Sequence, residues 1–142
     1  MFEASQFTDT RRRDTAREDK ALTWLRRQPE AARFEFASQL VQNRYAGALE
    51  FVRRSDLSGE SLVGLFRSGL DVADASNIHS WIEAVIGRLG TRKVLTLLRE
   101  RVATDRLVVE KAVYWLPKFI DAADGESREV YENLKRDCEK NG

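Results

Sequence analysis

Residues 76–120 read SNIHSWIEAVIGRLG, TRKVLTLLRERVATD and RLVVEKAVYWLPKFI, and this stretch decides the fold. In its first third, Ile78, Trp81, Ile82, Val85, Ile86 and Leu89 recur at spacings of three and four. That spacing puts them on one face of an α-helix, with Trp81 as its anchor. Ser76 is placed to cap the start, and Gly90 follows the last apolar residue, where a left-handed residue commonly ends a helix. The second third starts at Thr91 as a cap and buries Val94, Leu95, Leu98 and Val102, with Leu97 beside them. The last third follows Thr104-Asp105. It turns Val109, Ala112, Val113, Leu116, Phe119 and Ile120 inward, with Val108 and Trp115 widening the stripe. Pro117 lacks an N–H and crowds the preceding turn, so this helix should kink or end near Leu116. Turns this short make neighbouring helices pack antiparallel.

Outward from this centre the pattern stays helical. A helix over about residues 13–27 carries a thin apolar face of Ala21, Leu22, Trp24 and Leu25, and Pro29 then opens the next helix. In residues 30–54, Ala37, Leu40, Val41, Tyr45, Ala48, Leu49 and Val52 keep one phase, which suits a single long helix. Asn43 and Gly47 offer a break, and two helices is the preferred reading. Residues 55–60 form a loop, with Ser58 and Ser61 at the following helix start. Leu62, Leu65, Phe66, Gly69, Leu70 and Ala73 make the next apolar face. A last helix over about 126–139 presents Val130, Leu134 and Cys138, with Tyr131 alongside. Residues 1–15 are a polar lead-in. Phe2 and Phe7 can pin it to the body, and a mobile tail fits the sequence equally well.

The 142 residues suit one domain, 16–142, behind that lead-in. Charged residues make up 33 %, only two prolines occur and strand-like alternation does not recur, which indicates an all-α fold. The single cysteine allows no internal disulfide, and no apolar run has membrane-spanning or signal-peptide length, so a cytoplasmic protein is expected. The net charge of +1 hides blocks: +3 over 1–54, −4 over 55–86, +5 over 87–120 and −3 over 121–142. Such banding bears on association rather than on fold.

Sliding the chain by about 46 residues aligns Phe36 with Trp81, Leu40-Val41 with Val85-Ile86, and Val52-Arg53 with Leu98-Arg99. Two helices per period of this size resemble HEAT or armadillo repeats over roughly residues 30–120. The resemblance implies a short right-handed stack of antiparallel helix pairs, an α-solenoid; the alternative is a helical bundle.

Chemistry is sparse. His79 is the one histidine and has no metal-ligand spacing with Cys138. No phosphate-cradling glycine loop or nucleophile elbow occurs. The pairs Asp71/Asp74 and Asp121/Asp124 sit at helix ends, where aspartates cap. No catalytic residue, metal or cofactor is assigned. The remaining signal is basic: Arg88, Arg92, Lys93, Arg99, Arg101 and Arg106 surround the turns at either end of the second central helix, interleaved with Glu100, Asp105 and Glu110. Aligned on one edge, they would meet phosphates or an acidic partner. The expectation is a non-enzymatic scaffold or adaptor module that binds a protein partner through stacked amphipathic helices. The alternative is a nucleic-acid-binding helical-repeat protein using residues 88–106 and Arg11–Arg13. An enzyme whose site assembles from distant acids and arginines is a third class.

Overall fold

Helix boundaries follow the capping chemistry. Asp14 opens α1 (Thr15–Leu25) by accepting from the Arg17 N–H at 3.1 Å. Pro29 stands at the cap of α2 (Glu30–Gln42), as its fixed φ and missing N–H allow. The α2 helix ends in a Schellman motif: Tyr45 N–H donates to the Leu40 carbonyl and Arg44 N–H to that of Val41. Arg44, rather than Asn43, takes the left-handed conformation, at φ 56°. Residues 30–54 are therefore two helices, the second being α3 (Ala48–Arg54). Ser58 Oγ accepts from Ser61 N–H at the start of α4 (Gly59–Val72). Glu30 ties the starts of α2 and α4 together, accepting from Ser58 N–H at 2.6 Å and Ser61 Oγ–H at 2.9 Å. Hydrogen bonding to the Ser58 hydroxyl, then to the Ser58 N–H and the Ser61 hydroxyl, holds its carboxyl below the usual range.

The computed structural model describes residues 1–72, 77–121 and 124–140, and every regular element among them is helical. The chain groups into two compact units, Met1–Val72 and Ala73–Gly142. In the first, α2 packs on α3, on α4 and on a 3-10 turn at Ala4–Gln6. The lead-in is pinned: Phe7 is 1 % exposed and meets Phe36, Tyr45 and Phe51 edge-on, and Ala46 N–H donates to the Asp9 carbonyl. Phe2 leans on Trp24.

The second unit holds α5 (Ile78–Leu89), α6 (Thr91–Arg99), α7 (Arg106–Trp115) and α8 (Gly125–Lys140). Here α6 and α7 each contact both α5 and α8, so the set of contacts closes on itself. Trp81 is a core residue, as are Ile78, Ile82, Val85, Val94, Leu95, Leu97, Leu98 and Val102. Of the stripe expected on α7, Val108, Val109, Ala112 and Leu116 are buried, while Val113, Trp115, Phe119 and Ile120 are half-buried. The α-helix gives way at Leu116 to a 3-10 turn, Leu116–Phe119, containing Pro117. Ser76, read as a cap, lies outside the described residues. The all-α class holds; the helices do not show a HEAT or armadillo repeat pattern. No described helix is long and apolar enough to cross a membrane.

Gly90, not Thr91, is the cap of α6, and it also terminates α5. Its N–H donates to the Ile86 carbonyl, its own carbonyl accepts from Val94 N–H, and its φ 85°, ψ 155° are open almost only to glycine. Gly87 sits exposed inside α5, with nothing near the place a Cβ would take. Two alanine substitutions three residues apart should therefore have opposite signs. Gly90→Ala should destabilise by about 1–3 kcal/mol through backbone strain. Gly87→Ala should stabilise by about 0.5–1 kcal/mol through helix propensity. Urea melts of the two variants check both; a loss at Gly87 or a gain at Gly90 contradicts these backbone assignments.

Candidate interaction surface

Asp105 starts α7 by accepting from Val108 N–H at 3.3 Å. The buried residues Val108, Val109 and Ala112 orient the helix and leave Leu107, Lys111 and Tyr114 on its outer face. At about 100° per residue these three fall within roughly 60° of arc, and Lys118 continues the line in the 3-10 turn. Leu107 is 58 % and Tyr114 74 % exposed. Single exposed apolar residues are ordinary; here two share one stripe, with Lys111 between them.

Around the end of this stripe the aromatic rings interlock. Tyr114 meets Trp115 edge-on at 5.3 Å, and Trp115 lies 4.8 Å from the His79 ring of α5. Lys118 Nζ sits 5.0 Å from the centre of the Trp115 ring and 5.1 Å from that of Phe119. It also reaches Glu83 at 3.7 Å. These are cation–π distances. The buried Nδ1 of His79 has no hydrogen-bond partner among the described residues, and its Nε2 is 3.4 Å from Ser80 Oγ.

Beside Lys118, an open pocket of about 210 Å³ is lined by Pro117, Ile120, Arg128, Tyr131 and Glu132. Tyr131 Oη–H donates to the Val113 carbonyl at 3.3 Å, which holds α8 against α7 there, and burial raises the phenol pKa. A small-molecule site usually needs about 300–1,000 Å³, so this pocket has the size for a side chain rather than a metabolite.

The six basic residues divide between the two ends of α6. Arg88 lies in the last turn of α5, and Arg92 and Lys93 in the first turn of α6. Arg99, Arg101 and Arg106 lie at the far end of α6, about 13 Å away along a nine-residue helix. Three are matched to acids: Arg92 to Glu126 at 2.6 Å, Arg99 to Asp137 at 2.8 Å and Arg106 to Glu110 at 2.7 Å. Neither Arg88 nor Arg101 is without a partner. The basic block of 87–120 thus packs partly against the acidic block of 121–142. Each such exposed pair is worth about 0–1 kcal/mol. Of these partners, Glu110 was legible from its i, i+4 spacing to Arg106; Glu126 and Asp137 come from α8 and carry no local signal.

The other sequence candidates resolve into structure. Asp124 accepts from Ser127 N–H at 3.1 Å and Ser127 Oγ–H at 2.6 Å, and these bonds lower its pKa, so it caps α8. Asp74 lies outside the described residues. Cys138 is a buried free thiol whose pKa burial raises, which opposes formation of a thiolate. Among the described residues, no three His, Cys, Asp or Glu side chains are placed to hold a metal ion. Reading the sequence missed the exposed pair on α7, whose signal is that Leu107 and Tyr114 are seven apart and out of phase with the buried stripe. No protein-family model, curated protein or solved structure matches this chain.

Proposed function

We propose that this protein is a non-enzymatic, cytoplasmic interaction module that docks a protein partner on the outer face of α7 and the pocket beside its end. The reading is carried by the exposure of Leu107 and Tyr114 on one helical stripe, next to a half-buried tryptophan and a side-chain-sized pocket. Tyrosine and tryptophan supply much of the binding energy at protein interfaces, because each offers a large, stiff, amphipathic contact area. The salt bridges of Arg92, Arg99 and Arg106 weigh against the alternative, a phosphate-binding ridge over 88–106, because paired guanidinium groups have less charge to offer.

Cross-linked capture of partners tests this reading with three proteins: wild type, Leu107→Ser/Tyr114→Ser and Arg92→Ala/Lys93→Ala. Truncating an anchor commonly costs over about 1–2 kcal/mol of binding, so the first double variant should lose its partner about tenfold or more. The second should keep it. Loss only with the second would move the surface to the basic residues. Capture unchanged by either would remove α7 as the surface.

A further inference from the structure

We infer that the α7 face accepts an acidic amphipathic helix, an inference that rests on the interaction-module reading above. Leu107 and Tyr114 are seven residues apart, about 10.5 Å along the axis. Two turns of a partner helix span about 10.8 Å, so apolar residues at i and i+7 of a helix lying alongside α7 meet both anchors. Lys111 stands between the anchors and Lys118 lies beyond them. Of the acids nearby, Glu110 pairs with Arg106 and Glu83 with Lys118, while Glu132 lines the pocket together with Arg128. Lys111 forms no ion pair among the described residues, and neither does Arg128 at the pocket rim. Leu107, Lys111, Tyr114 and Lys118 thus alternate apolar and cationic side chains, with Lys118 shared with Glu83 and Lys111 left as the main cation for a partner. The complement of this stripe is a helix with carboxylates set between and beyond its two apolar residues. The pocket at Pro117, Ile120 and Tyr131 lies past the same end of α7 and has the size for a further apolar side chain.

The test is fluorescence polarisation of the full chain with two labelled helical peptides of about 18 residues, long enough to populate a helix. Both carry leucine at i and i+7, one with glutamate and the other with lysine at the flanking positions. Binding of the glutamate peptide about tenfold tighter, with the preference lost in Lys111→Glu/Lys118→Glu, supports the inference. Equal binding of both peptides, abolished in each case by Tyr114→Ala, overturns the acidic preference and leaves the interaction surface standing. Binding of neither peptide overturns helix docking, while partner capture still judges the wider reading. If sedimentation shows a dimer dissociated by Tyr114→Ala, the occupant is a second copy of the chain and the inference is overturned. Displacement of the glutamate peptide by a single-stranded oligonucleotide with steep salt dependence likewise overturns it, in favour of nucleic acid. All substituted residues are exposed, and circular dichroism checks that each variant folds.

Discussion

Phe7→Ala should destabilise the first unit by about 3–5 kcal/mol, as expected for a fully buried phenylalanine. Phe7 precedes the first α-helix and sits in a segment with little regular structure, yet it is 1 % exposed. Its ring centre lies 6.1 Å from that of Phe36, 5.3 Å from Tyr45 and 5.5 Å from Phe51, all edge-on. Phe36 and Phe51 in turn stack at 5.6 Å. Truncating Phe7 removes the ring that joins α2, α3 and the loop between them, and leaves a cavity whose lining cannot collapse without moving two helices. Phe2→Ala provides the contrast, since Phe2 is half-buried and, among the described residues, its ring meets that of Trp24 alone. It should cost about 1 kcal/mol. Urea midpoints of both variants decide the point; a cost under about 1 kcal/mol for Phe7→Ala would mean the lead-in is not part of the core.

The second large effect concerns the buried carboxylate of α1. Glu18 is fully buried and accepts from Arg13 Nη2 at 2.6 Å and from Tyr45 Oη–H at 2.6 Å. Tyr45 Oη in turn accepts from Asp14 N–H at 2.8 Å. Gly47 lies against this group, and a Cβ there would collide with Glu18 and with the Tyr45 ring. The two ends of the ion pair differ: the Arg13 side chain is 40 % exposed and the Glu18 side chain 1 %. Arg13→Ala would strand a buried carboxylate and should cost about 3–5 kcal/mol. Glu18→Gln leaves a guanidinium that can turn to water, and should cost about 1–2 kcal/mol. Equal costs would mean Glu18 is hydrated in the native state.

The same network sets a pH dependence. Burial, reinforced by the hydrogen bond to Glu18, pushes the Tyr45 phenol up to about 12 from its usual value of 10.0. The native state therefore holds this proton more tightly than the unfolded chain does. The resulting stabilisation is complete below pH 10 and is lost as the pH climbs through about 12. A shift of that size corresponds to roughly 2–3 kcal/mol. The stability advantage of wild type over Tyr45→Phe, measured in urea at pH 8 and pH 11, should narrow at the higher value.

Much of the architecture was determined by the sequence alone. The spacing of Ile78, Trp81, Ile82 and Val85 indicates a helix because a 3.6-residue period admits only one buried face. Pro29, Pro117, Gly90 and Ser58 mark boundaries, since backbone limits act locally and are legible locally. The break after Gln42 was legible too, though not that Arg44 would bear the strain. What tertiary structure alone decided is which residues from distant segments meet. Glu18 reads as an ordinary charged position on α1 until Tyr45 and Arg13 close over it. Phe7 reads as part of a tail until α2 and α3 supply its neighbours. The basic residues of 88–106 read as one cluster until α6 separates them and α8 brings Glu126 and Asp137. Leu107 and Tyr114 became a surface only because α5 and α8 cover the other side of α7, and coverage depends on packing between elements, which no single stretch of chain encodes.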